Sequence, residues 1–136
     1  MTVFGGKLTT FRKLSEHALD KISKYIKISN KSWTGNKILP GGEKTTDLNF
    51  LIPEGILPRL IKTYGHKITK LNQYYQGFND GGEHIFNDLY EFEIKYLVLE
   101  EMAKTSEDIL FRRTKLGTKF PKEKLPNLEN ILKKYL

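Results

Sequence analysis

Apolar residues recur with a helical period through most of the chain. Leu8, Phe11, Leu14, Ala18, Ile22 and Tyr25 are spaced by three and four. That stripe predicts a helix over about residues 9–26, with Thr9 or Thr10 as its N-cap. Before it, Val3-Phe4 is a short apolar stub ended by Gly5-Gly6, read as a strand and a turn. Residues 27–50 are punctuated by Gly35, Pro40, Gly41 and Gly42 and read as loop, with Trp33 and Ile38-Leu39 as apolar anchors. A short helix is expected over 54–64, started or bent at Pro58 and stopped by Gly65. A second carries Ile68, Leu71 and Tyr75 and ends at Gly77. Asn79-Asp80-Gly81-Gly82 then makes a turn.

The strongest periodicity covers about 88–103. Leu89, Phe92, Tyr96, Leu99 and Met102 form the stripe, and Ile94, Leu97 and Val98 widen it. A helix apolar over so much of its circumference is expected to be buried on several sides. Thr105 to Asp108 has the form of a capping box before a helix carrying Ile109 to Arg113, which Gly117 ends. Pro121 and Pro126 flank a linker, and Asn127 is placed to cap a last helix. No repeat or low-complexity tract interrupts the pattern. The expected fold is all-α, a helical bundle of about five to six helices with a short N-terminal strand stub.

Composition narrows the chemistry. At 136 residues the chain is about one domain, and it has no Cys, which excludes disulfides, thiol catalysis and Cys-ligated metals. No apolar run approaches the ~20 residues of a membrane span, and the opening residues do not read as a signal peptide. The net charge of +7 is uneven: residues 1–37 carry eight Lys/Arg against two acids, 38–117 ten against twelve, and 118–136 five against two. A basic start and end could face a polyanion or could be a solvated lysine surface. No nucleic-acid motif accompanies the charge, so no nucleic-acid partner is expected.

Gly5-Gly6-Lys7-Leu8-Thr9-Thr10 is the leading candidate site. Glycines allow close backbone approach, a helix start offers N–H donors and positive potential, and Lys7 adds a mobile charge. The alternative is an ordinary helix start. It is not a Walker A loop, and no GxGxxG fingerprint occurs in the chain. His17, His66 and His84 have no partner at metal spacing, so no metal site is expected. Glu91 and Lys95, and Glu100 and Lys104, have the spacing of surface i,i+4 pairs. Arg112-Arg113 could bind a phosphate or carboxylate, or anchor a helix to a neighbouring domain.

The segment from Val3 to Leu14, VFGGKLTTFRKL, resembles the flavin-contacting segment of aerobic, FAD-dependent glycerol-3-phosphate dehydrogenases. Glu16-His17-Ala18-Leu19, Trp33-Thr34, Leu39-Pro40-Gly41-Gly42, Glu93 to Leu97 and Asp108 to Gly117 continue the resemblance in the same order, while residues 45–80 fit loosely. Phe11 stands where that family often has Tyr.

The resemblance implies a C-terminal part of a larger enzyme. Residues 1–26 would end its FAD-binding domain, 27–50 would be a linker loop and 51–136 a C-terminal helical cap. Met1 would then be a cloning start, and the partner would be an upstream FAD-binding half of the same chain. Such enzymes oxidise sn-glycerol 3-phosphate to dihydroxyacetone phosphate and pass electrons through FAD to quinone. They work in the cytoplasm, peripheral to the inner face of the membrane. By that match Gly5, Gly6, Lys7, Leu8 and Thr9 would contact the cofactor, and Lys7 would be catalytic. Arg112 and Arg113 would lie at a domain interface. The segment alone would bind little FAD and be inactive. A related alpha-glycerophosphate oxidase, passing electrons to oxygen, and a freestanding basic anion-binding module are the alternatives.

Overall fold

A computed structural model describes residues 2–28, 32–44 and 49–136. Two compact units divide the chain at Leu39 and Pro40, inside the stretch read as loop.

In the first unit a short 3-10 turn, Leu8–Thr10, runs into α1, Phe11–Ile22. Residues 2–7 form no strand; Val3-Phe4 has no neighbouring chain among the described residues to supply a ladder. The helix is shorter than its apolar stripe, and neither Thr9 nor Thr10 caps it. Thr10 instead turns its hydroxyl and N–H onto the Lys7 carbonyl, at 3.2 and 3.0 Å. No described residue of this unit is buried, and the start of its apolar stripe is open: Leu8 is 87% and Phe11 59% exposed, as is Phe4 before it, at 91%. Trp33, read as a loop anchor, is also exposed.

The second unit holds the core. It contains α2 (Leu57–Tyr64), α3 (Ile68–Gln76), the strands β1 (His84–Phe86) and β2 (Leu89–Tyr90), α4 (Glu91–Leu99) and α5 (Leu125–Lys133). The architecture is mostly α-helical, as the periodicity implied. Pro58 sits at the second helical position of α2, where its missing N–H costs nothing. Gly65 closes that helix and Gly77 closes α3. Helix α4 is central, with Phe92, Ile94, Tyr96 and Leu97 buried against Leu60, Ile68 and Leu71 on one side of the chain order and Leu128 and Ile131 on the other. Edge-on contacts of Tyr96 with Tyr64 and Tyr74, at 5.5 and 5.7 Å, fill the same core.

The expected helix over 88–103 is shorter at both ends. Leu89-Tyr90 pairs antiparallel with His84–Phe86 across the two-residue turn Asn87-Asp88, where Asn87 takes φ +49°. Helix α4 therefore starts at Glu91, and Glu91 and Glu93 favour its positive end. It is closed by Met102 in the left-handed region, φ +54°, which lets the Ala103 N–H reach back to the Leu97 carbonyl at 2.9 Å. Met102 is thus 77% exposed rather than a stripe residue, and Leu99 is exposed too.

The capping box is formed. Asp108 Oδ2 accepts from the N–H groups of Lys104 and Thr105 and from the Thr105 hydroxyl, and the Asp108 N–H donates to Thr105 Oγ1. The backbone from Asp108 to Arg113 then winds as a π-helical turn rather than an α-helix. Asn127 does not cap α5, which begins two residues earlier; its side chain donates to Glu83 instead, at 2.8 Å.

Candidate functional site

The Gly5–Thr9 turn is exposed throughout. Gly5 and Gly6 take φ +77° and +145°, a path that other residues adopt at a cost, and Lys7 is extended. A side-chain carbon at Gly5 would meet nothing, so its glycine answers to backbone conformation, not crowding. Among the described residues the N–H groups of Gly5, Gly6 and Lys7 find no acceptor, and Lys7 has no acidic partner. Leu8 and Thr9 open a helical segment, where N–H groups lack partners by construction. The turn thus presents a row of unused donors and one free ammonium group.

Behind it, Arg12 and Glu16 lie one turn apart on α1 and bond at 3.0 Å. Thr34 donates to Glu16 and accepts from Arg12. Hydrogen bonds from Ser32 and Thr34 hold the Glu16 carboxyl below the usual range. This clamp ties the 32–36 turn to α1, and it joins residues whose sequence separation hid their relation.

The second unit contains two charged arrangements. In the first, Glu93 is fully buried and accepts from both terminal nitrogens of Arg59, at 2.9 and 2.6 Å, and from the Tyr64 hydroxyl, at 2.6 Å. Arg59 also holds Asp88. Burial opposes the charge on Arg59, but Glu93 and then Asp88 outweigh it and raise its pKa. Burial, then Glu93, keeps Tyr64 protonated. Every group here is satisfied within the chain, which marks a structural network rather than a reactive one.

The second arrangement lies where α4 ends near the π-helical turn. The i,i+4 pairs read from spacing do not form. Glu100 binds Lys70 and Tyr74, which lower its pKa, and Glu101 binds Lys67 and Tyr96. Glu91 reaches Lys134 and Tyr135 near the C-terminus, while Lys95 lies over the rings of Phe78 and Tyr135. Packing of α4 between α3 and α5 puts cross-helix partners closer than same-helix ones. Arg112 bonds Asp108 and Glu107. Arg113 donates to the Glu101 carbonyl at 2.9 Å. A cleft of about 180 Å³ opens among Pro40, Thr63, Lys67, Glu101, Arg112 and Arg113. Of the residues singled out from sequence, Gly5, Gly6, Lys7, Leu8 and Thr9 form the exposed turn of the first unit. Arg112 and Arg113 belong to the second. Neither Lys67 nor the Arg59–Glu93 pair carries a sequence signal of its own.

The fold and these arrangements define a small helical domain preceded by a segment with an open apolar helix. The chain belongs to the family described as the C-terminal domain of alpha-glycerophosphate oxidase, whose model matches residues 32–134. It is 37% identical to a glycerol-3-phosphate dehydrogenase of Pseudomonas tolaasii over 98% of this chain and 28% of that protein. It is also 37% identical to the aerobic glycerol-3-phosphate dehydrogenase of Escherichia coli, over 86% of this chain and 25% of that protein. With the D-erythritol 1-phosphate dehydrogenase of Brucella abortus the identity is 36%, over 85% and 25%. The chain spans about a quarter of the length of these relatives.

Proposed function

We propose that this chain serves as the C-terminal part of a flavoenzyme that oxidises a polyol phosphate, sn-glycerol 3-phosphate first among them, with quinone as electron acceptor. The observation that carries the reading is the exposed Gly5–Thr9 turn with its unused donors. The names and the quarter-length match of the relatives agree with it.

The turn suits FAD chemically. Flavin, when bound, supplies the two-electron oxidation. The N–H groups of Gly6, Lys7, Leu8 and Thr9 would donate to the electron-rich edge of its ring, where the helix start favours negative charge. Lys7 would hold an anionic or developing alkoxide oxygen of the substrate. The open apolar side chains Phe4, Leu8 and Phe11 offer a surface for an upstream flavin-binding half. Arg112 and Arg113 are the basic residues we assign to contacts with that half.

The test uses the intact gene product, extended upstream of Thr2 to the start of its reading frame. It should reduce a quinone analogue with sn-glycerol 3-phosphate and turn over D-erythritol 1-phosphate more slowly. Lys7→Ala should lower turnover by about 10²–10³-fold, the cost of one charge-stabilising donor, with the helical domain still folded. Wild-type turnover in that variant would remove the role given to Lys7. The family description favours one second reading, transfer of electrons to oxygen. Stoichiometric peroxide during turnover would replace quinone with oxygen as the acceptor.

Among the described residues no helix is long and apolar enough to cross a membrane. Attachment to an anionic membrane face would therefore rest on surface charge. Equal pelleting of the intact protein with neutral and anionic vesicles would rule that attachment out.

A further inference from the structure

We infer that the cleft beside Arg113 is a binding site for a small phosphate-class oxyanion. It lies wholly within residues 40–136 and can be tested without an upstream half, although it uses the arginines assigned above to contacts with that half.

Around the cleft three cations face three carboxylates, but Arg112 takes two of the acids and Arg113 none. Lys67 is matched by Glu101 at 2.6 Å. Arg112 is matched by Asp108 at 2.8 Å and Glu107 at 3.1 Å. Arg113 has no carboxylate partner among the described residues. Its single acceptor is the Glu101 carbonyl, and its Nε is shielded from water with no acceptor at all. A guanidinium presents five donors in a fixed fork, so most of Arg113 is left without a partner. A buried N–H without an acceptor is rare in a folded chain and calls for an account. An oxyanion seated in the cleft would give the terminal nitrogens of Arg113 the anionic partner they lack.

Size and shape narrow the class. At about 180 Å³ the cleft has room for about six waters, given roughly 30 Å³ for each. That admits one tetrahedral oxyanion or the phosphate end of a monoester. Two arginines and a lysine converging from different elements match phosphate geometry: Arg as a planar fork, Lys as a point charge. Lys67 comes from the turn after α2, while Arg112 and Arg113 close the π-helical turn. The adjacent loop is held firmly. Gly41 accepts the His66 N–H at 2.9 Å, and a side-chain carbon at Gly65 would lie 2.0 Å from the Gly41 carbonyl. The wall beside Pro40 is therefore preformed.

The experiment is a titration of the ¹⁵N-labelled 136-residue chain with inorganic phosphate, at constant ionic strength against sodium chloride. A parallel arm uses sn-glycerol 3-phosphate. Saturable shifts confined to amides of Thr63–Lys67, Glu101 and Arg112–Arg113 are expected in the phosphate arm. Tighter binding in the second arm would identify a monoester as the natural form, and equal or weaker binding would identify free phosphate. Arg113→Gln should weaken binding by about tenfold or more, the effect of losing a charged hydrogen bond. Because Arg113 also holds the end of α4, Arg112→Gln is a second variant and should weaken binding while leaving spectral dispersion intact. Lys122→Gln, remote and exposed, should change nothing. Shifts that never saturate, that spread over the lysine surface, or that persist unchanged in both arginine variants would overturn the site.

Discussion

Glu93 stands between Phe92 and Ile94 in a helix apolar on nearly every side. An acid in that setting is buried only with a partner to hold its charge. The partner was hidden from the sequence, because Arg59 lies 34 residues away and only the packing of α2 on α4 joins them. Removing Glu93 leaves Arg59 with only the partly exposed Asp88 as counter-charge. Glu93→Ala should therefore cost about 3–5 kcal/mol, read as a lowered denaturation midpoint with unchanged m-value. Arg59→Ala should cost at least as much, since it strands the fully buried Glu93 and unpairs Asp88 as well. A loss below about 1 kcal/mol in Glu93→Ala would show the network to be dispensable. Asp108 is a different case, and one legible from spacing alone. The N–H of Lys104 and the hydroxyl of Thr105 lead the interactions that hold its carboxyl at about 2. A pKa lowered on folding means that the folded state binds fewer protons, so its stabilising effect is present above the unfolded value. It should fade as pH drops from about 4 towards 2, with Asp108→Asn abolishing that part of the acid transition. A Thr105–Asp108 segment whose amide exchange is the same at about pH 2 and about pH 5, after correction for intrinsic rates, would contradict this.

At the level of elements, period was readable and termini were not. The stripes of α3 and α4 named buried residues, Ile68 and Leu71 in one and Phe92 and Tyr96 in the other, because both helices pack on the same core, but Leu99 and Met102 fell outside it. The hairpin before α4 escaped because Leu89-Tyr90 continues the apolar period by chance, while its pairing partner lies across a two-residue turn. The end of α4 escaped because Met102 does a job usually left to glycine. This gives a prediction with an unusual sign. Met102 is exposed and loses little burial on truncation, so Met102→Gly should stabilise the domain by about 1 kcal/mol by relieving a left-handed conformation. A lower melting temperature in that variant would mean that the Met side chain has a contact worth more than the strain. The opposite sign applies at Gly65. There φ is +56° and an added carbon would strike the Gly41 carbonyl, so Gly65→Ala should destabilise by more than about 2 kcal/mol. The candidate turn at Gly5–Thr9 was legible as a segment because glycines, a lysine and a helix start are contiguous. The cleft was not, since Lys67 and Arg113 meet only through the ends of separate elements.

Over the whole molecule, burial and charge are divided unequally. Every fully buried apolar side chain among the described residues lies between Ile52 and Leu132. The described residues of 1–39 contribute none, yet residues 1–39 carry eight Lys/Arg against two acids, a net +6 of the chain's +7. The hydrophobic effect, the dominant favourable term in folding, thus acts almost wholly on the second unit. A domain of 97 residues with one core lies within the range that folds alone. Residues 40–136 expressed by themselves should therefore unfold in a single cooperative transition, within a few degrees of that of the full chain. In the full chain, amides of 2–28 should exchange with solvent far faster than those of α4, because local opening there exposes no core. The clamp of Arg12, Glu16 and Thr34 should not alter this order, since solvent-screened ion pairs contribute little. If 40–136 melts much earlier than the full chain, the first segment supplies stability that its open side chains do not account for. If instead an upstream flavin-binding half slows exchange in α1 to the level of α4, the apolar stripe from Leu8 to Ile22 is the surface on which that half folds.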